Sequence, residues 1–308
     1  MRNQKIIVVL GSTATGKSDL AVVIAKKFGG EIISADSRQV YKGLDIGTGK
    51  VPRDPTNYKL KTKNYLCKGI PHHLLDVANP KRVFTVSQYK KLGEEALRDI
   101  WQRGKLPIIC GGTGFYIQAL VDGIILPEVP PNKKLRKQLD KKSVTELFAI
   151  LKKLDPRRAK EIDRKNPRRL IRAIEIAKYL GRVPRLKVQA PKNTDILQIG
   201  IDMPDKILKE RIEKRLKARI KKGMIEEAVR LHRQGLSWKR MEELGLEYRY
   251  LARYLQGKIS KKMMAHELNK EIWQYAKRQH TWFKRDKRIR WFKPQQKKDV
   301  EKLVRKFL

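Results

Sequence analysis

The residues with the clearest chemical potential come early. Gly11, Ser12, Thr13, Ala14, Thr15, Gly16, Lys17 and Ser18 spell GSTATGKS, which fits the phosphate-loop template GxxxxGK[ST] at each fixed position. The glycines let backbone N–H groups turn inward around phosphate oxygens, Lys17 adds a point charge, and the Ser18 hydroxyl can ligate a magnesium ion. The motif specifies a di- or triphosphate and is silent on the reaction. A second apolar run, EIISA, ends in Asp36 and is followed by Ser37, Arg38 and Gln39. Asp-Ser often does no more than cap a turn. Beside a phosphate loop, however, an acid among polar groups and a guanidinium also suits an acceptor whose nucleophile needs a base. In a third segment, CGGTGFY, the glycines permit close approach of a ligand and Thr113 offers a hydroxyl, although tight packing explains the glycines equally well.

Each of these loops follows a short apolar run: IIVVL, EIISA, LPIIC. Such runs alternate with helical patterns, as in SDLAVVIAKKFGG and GFYIQALVDG. That rhythm predicts an α/β fold of the P-loop NTPase type, a parallel sheet flanked by helices on both faces. Its ligand loops then gather at the carboxyl edge of the sheet. The rhythm stops at LPEVPPNKK, and 135–180 reads as helices without a strand. In NPRRLIRAIEIAKYLGR, Asn166 is the N-cap, Pro167 the first helical residue and Gly181 the stop, with Leu170, Ile171, Ile174 and Ala177 at helical spacing. The strand pattern ILQIGI then resumes. The expected organisation is a core of 1–126 and 191–308 interrupted by a helical insertion at 127–190, with 205–308 helical throughout. Within DKILKERIEKRLKARIKKG, Arg211, Arg215 and Arg219 repeat every four residues along one side.

Composition narrows the ligand. The 308 residues include 73 Lys and Arg against 32 Asp and Glu, a net charge of +41. The excess is regional: 127–190 holds twenty basic residues and seven acids, and 277–298 ten and one, whereas the first sixty residues hold ten and five. Such clustering favours a polyanionic partner such as nucleic acid. Trp273, Tyr275, Trp282, Phe283, Trp291 and Phe292 lie among the C-terminal cations; core packing is the default for each, yet the mixture also suits stacking on RNA. Only Cys67 and Cys110 are present and no zinc spacing occurs, so neither a disulfide scaffold nor a structural metal is expected. His72 and His73 read as a structural pair, and Asp76 as a group able to hold magnesium through water. No apolar run reaches the length of a membrane span, which leads to the expectation of a cytoplasmic protein without membrane contact.

Taken together, GSTATGKS, DSRQVYKGLDIGTGK, PHHLLDV, CGGTGFY, NPRRLIRAIE, LGLEYR and KRQHTWFKR resemble, in this order, the tRNA dimethylallyltransferase family, from Gly11 to about Lys284. The resemblance implies that Thr13 to Ser18 grip the diphosphate of dimethylallyl diphosphate, with Arg215 as a further diphosphate ligand and Mg2+ as cofactor. It also implies that Asp36 is the catalytic base acting on the exocyclic amine of an adenosine next to the anticodon, with Thr13, Lys17 and Arg215 as catalytic companions. Further implied tRNA contacts are Asp36, Ser37, Arg38, Gln39, Thr113 and Arg136, and Arg168, Arg169, Leu170, Ile171 and Arg172. Two more stretches are Leu244, Gly245, Leu246, Glu247, Tyr248 and Arg249, and Lys277, Arg278, Gln279, His280, Thr281, Trp282, Phe283 and Lys284. The insertion is implied to swing and contact tRNA, and the protein to act as a monomer. Ser12, Thr15, Gly49 and Glu247 depart from the family pattern without removing a group the reaction needs. On the residues alone, a small-molecule kinase, an adenylate isopentenyltransferase and a basic RNA-binding module with a scaffold phosphate loop remain alternatives; the basic helices weigh against the first two.

Overall fold

The computed structural model describes residues 3–55, 65–189, 191 and 193–308. They form two compact units, one of 1–122 with 191–308 and one of 123–190.

In the larger unit, β1 (Gln4–Gly11) leads through the phosphate loop into α1 (Lys17–Phe28) and β2 (Gly30–Ala35). A short hairpin, β3 (Tyr65–Cys67) and β4 (Ile70–His73), precedes α2 (Val86–Gln102), β5 (Leu106–Gly111) and α3 (Gly114–Val121). The smaller unit contains β6 (Ile124–Ile125), α4 (Lys133–Leu139), α5 (Val144–Leu154), α6 (Pro156–Glu161), α7 (Pro167–Leu180) and β7 (Lys187–Val188). The chain then re-enters the larger unit with β8 (Thr194–Ile201), α8 (Asp205–Lys221), α9 (Met224–Arg233), α10 (Trp238–Leu244), α11 (Leu246–Leu255), α12 (Lys261–Phe283), β9 (Arg290–Phe292) and α13 (Lys297–Phe307).

The seven-stranded sheet runs β3-β4-β2-β5-β1-β8-β9, with every pairing parallel except the β3–β4 hairpin. β1 lies in the interior of the sheet, paired with β5 and β8, which explains its apolar run Ile6–Leu10: both faces are covered. Alternate residues serve the two faces. Ile6, Val8 and Leu10 join a cluster with Tyr89, Ile117, Leu216 and Met264, whereas Ile7 and Val9 meet Leu20, Ile24 and Val300 on the other side.

Two features depart from the sequence expectations. The stretch after Asp36 is not simply a loop, because β3 and β4 extend the sheet beyond β2. The C-terminal segment is not wholly helical either: RWF forms edge strand β9, with Ile201 opposite Phe292 and Gly200 opposite Trp291. Three residues leave no room for a period to show. Trp291 and Phe292 pack partly buried against the two cores, the default expected of each.

In the smaller unit, Leu147, Leu151, Ala159, Leu170, Ile174 and Ala177 make a separate core. α7 is capped by the Asn166 side chain, which accepts from Arg169 N, has Pro167 at its first position and ends on left-handed Gly181.

Candidate active site

The three loops meet at one edge of the sheet because β1, β2 and β5 are adjacent and parallel, so their carboxyl ends coincide. Gly16 takes φ 92°, a left-handed value, and turns the phosphate loop into α1. The N–H groups of Ala14, Thr15, Gly16, Lys17 and Ser18 have no acceptor among the described residues. Thr15 Oγ1 and Lys17 Nζ both donate to Ser12 O, at 2.9 and 3.1 Å. The Ser18 hydroxyl rests on the thiol of Cys110, which burial pushes up to about 11.

Arg215 reaches this loop from α8: it lies 3.5 Å from Thr13 Oγ1 and 3.1 Å from Gly49 O. Neither Lys17 nor Arg215 has an ion-pair partner among the described residues, and both are held below their ordinary range. Burial is the main cause in each case; Arg215 presses further on Lys17, and Arg219 on Arg215. Two desolvated cations and five free N–H groups make a strong anion site.

On the neighbouring loop, Asp36 Oδ1 accepts from Arg38 N at 2.8 Å and Gln39 N at 3.2 Å, which fixes an Asx turn. Its second oxygen accepts no hydrogen bond among the described residues. Thr113 binds the third loop to that of Asp36: its N–H donates to Ala35 O at 3.1 Å and its Oγ1 accepts from Ser37 N at 3.0 Å. The Arg38 guanidinium folds back on Ser37 O, 3.3 Å away.

α12 lies over this edge. Ser12 Oγ donates to Ala276 O at 3.0 Å, Tyr275 bonds Thr113, and Trp282 packs on Gly114. Of the expected contact stretch, Lys277, Arg278, Thr281 and Lys284 are exposed, and His280 is 3.4 Å from Asp202. Gln279 and Phe283 face inward, at 6% and 3% exposure.

Several other residues of the expected contact stretches lie buried or paired. Leu244 and Tyr248 are core residues, and Leu170 and Ile171 belong to the core of the smaller unit, so these four hold helices in place. In LGLEYR, Gly245 caps α10 and α11, Leu246 is half-buried, Arg249 meets Glu242 at 3.6 Å, and Glu247 binds Arg219 at 3.1 Å. In the smaller unit, Arg136 and Arg172 both bind the buried Glu175 carboxylate. Burial alone would raise the Glu175 carboxyl, but the bonds from Arg136, Arg172 and Asn132 N bring it below the usual range. Arg169 is 3.6 Å from Asp163, whereas Arg168 is exposed and unpaired among the described residues. Asp76, expected as a group able to hold magnesium through water, is paired with Lys50 and Arg53. His72 bonds Ile70 O and His73 bonds Glu31, a structural pair.

Sequence reasoning missed the supporting role of two residues, one of which it expected only as a tRNA contact. Glu227 on α9 is 3% exposed and accepts from Asp45 N, Ile46 N, Gly47 N and Tyr248 Oη at 2.7–2.9 Å, which fixes the loop whose Gly49 O receives Arg215. In MIEEAV the only sign was an acid on the apolar side of an amphipathic helix. The other is Gln279. Beside Thr15 and Gly16 opens a cavity of about 830 Å3, walled by Met203, Ile207 and Val300 and rimmed by Arg211, Lys293 and Lys297.

Comparison with known proteins gives a consistent result. The family model described as IPP transferase matches residues 39–286. The "tRNA dimethylallyltransferase 2" of Treponema denticola is 47% identical over 283 residues, 91% of each chain. The "tRNA dimethylallyltransferase" of Anoxybacillus flavithermus is 38% identical over 293 residues, covering 94% of this chain and 90% of the relative. Among solved structures, the tRNA isopentenylpyrophosphate transferase of Bacillus halodurans aligns with a TM-score of 0.71 at 30% identity, over 98% of this chain and 96% of that one. A eukaryotic dimethylallyltransferase acting on tRNA aligns at 0.75 and 25% identity, over 94% and 74%. With these likenesses running through nearly the whole sequence, the chain belongs to the IPP transferase family.

Proposed function

We propose that the protein transfers a dimethylallyl group from dimethylallyl diphosphate to the exocyclic N6 amine of the adenosine 3′-adjacent to the anticodon, position 37, in tRNAs reading codons that begin with U. The observation that carries this reading is a carboxylate, Asp36, with one oxygen free among the described residues, tied through Thr113 and then Gln279 to the phosphate loop, where Lys17 and Arg215 lack ion-pair partners among the described residues. An acid facing an anion site suits a reaction in which a proton leaves one reactant as a diphosphate leaves the other. The relatives named as tRNA dimethylallyltransferases support the two substrates.

In the proposed step, the N6 lone pair forms a bond to C1 of the allyl group while the C1–oxygen bond breaks and its electrons go to the diphosphate. The N6 proton passes to the free Asp36 oxygen, without which the weakly basic amine would carry a full positive charge. Lys17, Arg215 and the loop N–H groups face the charge that grows on the leaving oxygens; one such preorganised donor is worth about 2.7–4 kcal/mol. Among the described residues no group of three or more His, Cys, Asp or Glu could hold a metal. A magnesium ion would therefore be held chiefly by the diphosphate's own oxygens, with the Ser18 hydroxyl as the protein ligand, a mode that suits this ion. When bound it neutralises charge on the leaving group.

The cavity beside Thr15 and Gly16, apolar in its walls and basic at its rim, fits the approach of an amphiphilic diphosphate. Exposed Arg168, Lys277, Arg278 and Lys284 would grip the tRNA backbone, helping to offset the few kcal/mol needed to unstack the target base. Both loops belong to one chain, so a monomer suffices, and a tRNA substrate suits a cytoplasmic enzyme. No described helix is long and apolar enough to cross a membrane.

The test is to supply labelled dimethylallyl diphosphate with unmodified tRNA or with AMP, and to follow ATP consumption separately. Label entering tRNA alone supports the reading. Label entering AMP, or turnover of ATP without transfer, would overturn it.

A further inference from the structure

Gln279 uses both ends of one amide. Its Oε1 accepts from Thr13 N at 2.8 Å, and its Nε2 donates to Gly112 O at 2.8 Å. The partners fix the orientation, since one offers a proton and the other a lone pair. Glycine at 112 is what lets the bridge close: a Cβ there would lie 2.2 Å from Nε2. Gly112 adjoins Thr113, which holds Ser37, which adjoins Asp36, so a continuous path leads from the phosphate loop through Gln279 to the acid. Ser12 Oγ on Ala276 O and Tyr275 on Thr113 press each loop separately against α12. Among the described residues, Gln279 is the side chain that bonds both.

We propose that Gln279 is a positioning residue that sets the spacing between the diphosphate cradle and Asp36, not a tRNA contact. Its place on α12 puts the exposed Lys277, Arg278 and Lys284 on the opposite side, so one helix carries cations outward and the spacer inward. The inference rests on the transfer reaction proposed above. An in-line displacement needs its reacting atoms held to within a fraction of an ångström, and a misplacement of about 1 Å can cost about 100-fold in rate.

The experiment uses Gln279→Met, Gln279→Glu and Gly112→Ala in the full-length protein. Gln279→Met and Gly112→Ala, which break the bridge from opposite ends, are expected to lower kcat by about 10- to 100-fold, with tRNA affinity within about twofold of wild type. Gln279→Glu has a distinctive signature. Its carboxylate cannot donate to Gly112 O, but its protonated form can while still accepting from Thr13 N. Its rate relative to wild type should rise as pH falls through the titration of the introduced carboxyl, while the Gln279→Met ratio stays flat. Hydrogen exchange of the peptide carrying Thr13 should speed up in Gln279→Met without added substrate. Loss confined to tRNA affinity, a pH-flat Gln279→Glu ratio, or unchanged exchange at Thr13 overturns the proposal. Absence of label transfer by the wild-type protein overturns the functional reading instead, and the exchange measurement still decides whether the bridge exists.

Discussion

Asp36 supports a perturbation whose parts the geometry separates. Its Oδ1 holds the turn through Arg38 N and Gln39 N, and its other oxygen is free to take a proton. Asp36→Asn keeps an oxygen for the turn and removes the proton acceptor, whereas Asp36→Ala removes both. Loss of a positioned base costs about 10²- to 10⁴-fold in rate, which is about 2.7–5.4 kcal/mol of barrier at 1.36 per decade. The alanine variant also strands two N–H groups; at this half-buried site water replaces part of what is lost, adding about 1 kcal/mol. Both variants should therefore lose turnover by that range and differ from each other by less than about tenfold. Removing the negative charge also takes away an attraction on Lys17 and Arg215, leaving them freer for the diphosphate, so Asp36→Asn should bind diphosphate at least as tightly as wild type. Single-turnover transfer at saturating tRNA, with separate titrations of tRNA and diphosphate, measures each quantity. Asp36→Asn retaining more than about a tenth of wild-type turnover, against the loss expected of a base, would refute the role; so would an equal fall in turnover and tRNA affinity.

Four further outcomes are expected. Because burial and Arg215 hold the Lys17 ammonium below its ordinary 10.5, diphosphate affinity should be full below that lowered value and fall as pH rises through it. Calorimetry across pH checks this, with Lys17→Met flat over the same window. Glu227→Gln places a donor where four donors already converge, which should cost about 3 kcal/mol of unfolding free energy, read by urea titration; a change under about 0.5 kcal/mol would mean the loop at 45–47 does not need the carboxylate. The Glu175 carboxyl sits below its ordinary 4.5 in the folded chain, so the unfolded chain binds its proton more readily; its contribution is complete above about 4.5 and is lost as pH falls through the folded value. Glu175→Gln should reduce that acid sensitivity, measured by thermal melts from neutral to acid pH. Arg168→Ala should weaken tRNA binding and reduce the slope of log affinity against log salt by about 1; an unchanged slope would remove this residue from the RNA surface.

The parts of the site legible in sequence are those whose chemistry is encoded in local spacing. GSTATGKS places glycine where the backbone must turn and lysine where the helix begins, and Asp36 and Thr113 follow apolar runs that end at the same sheet edge. What stayed hidden depends on long-range encounters. Gln279 meets Thr13 across 266 positions and Glu227 meets Ile46 across 181, and a polar residue on a helix does not announce its partner. Leu170 and Ile171 show local spacing being more informative than membership of a motif: their helical period put them in a core, where they lie, while the resemblance grouped them with contact arginines. Strand β9 escaped because an edge strand of three residues among cations has too little alternation to display.

The interior place of β1 in the sheet also constrains how the molecule comes into being. This strand is made before the rest of the sheet, yet its full-length neighbour β8 is separated from it by most of the sequence, Gln4 facing Thr194 and Gly11 facing Ile201. At the usual pace of synthesis, about 5–20 residues per second, β1 waits about 10–40 s with one apolar flank unpaired. During that interval the whole smaller unit emerges, and its separate core allows it to condense while the larger unit still lacks a strand. The newborn chain thus has an early-folding island inside a late-closing sheet, and ribosome-bound fragments ending before β8 should expose the β1 edge to chaperones and to pairing with other chains.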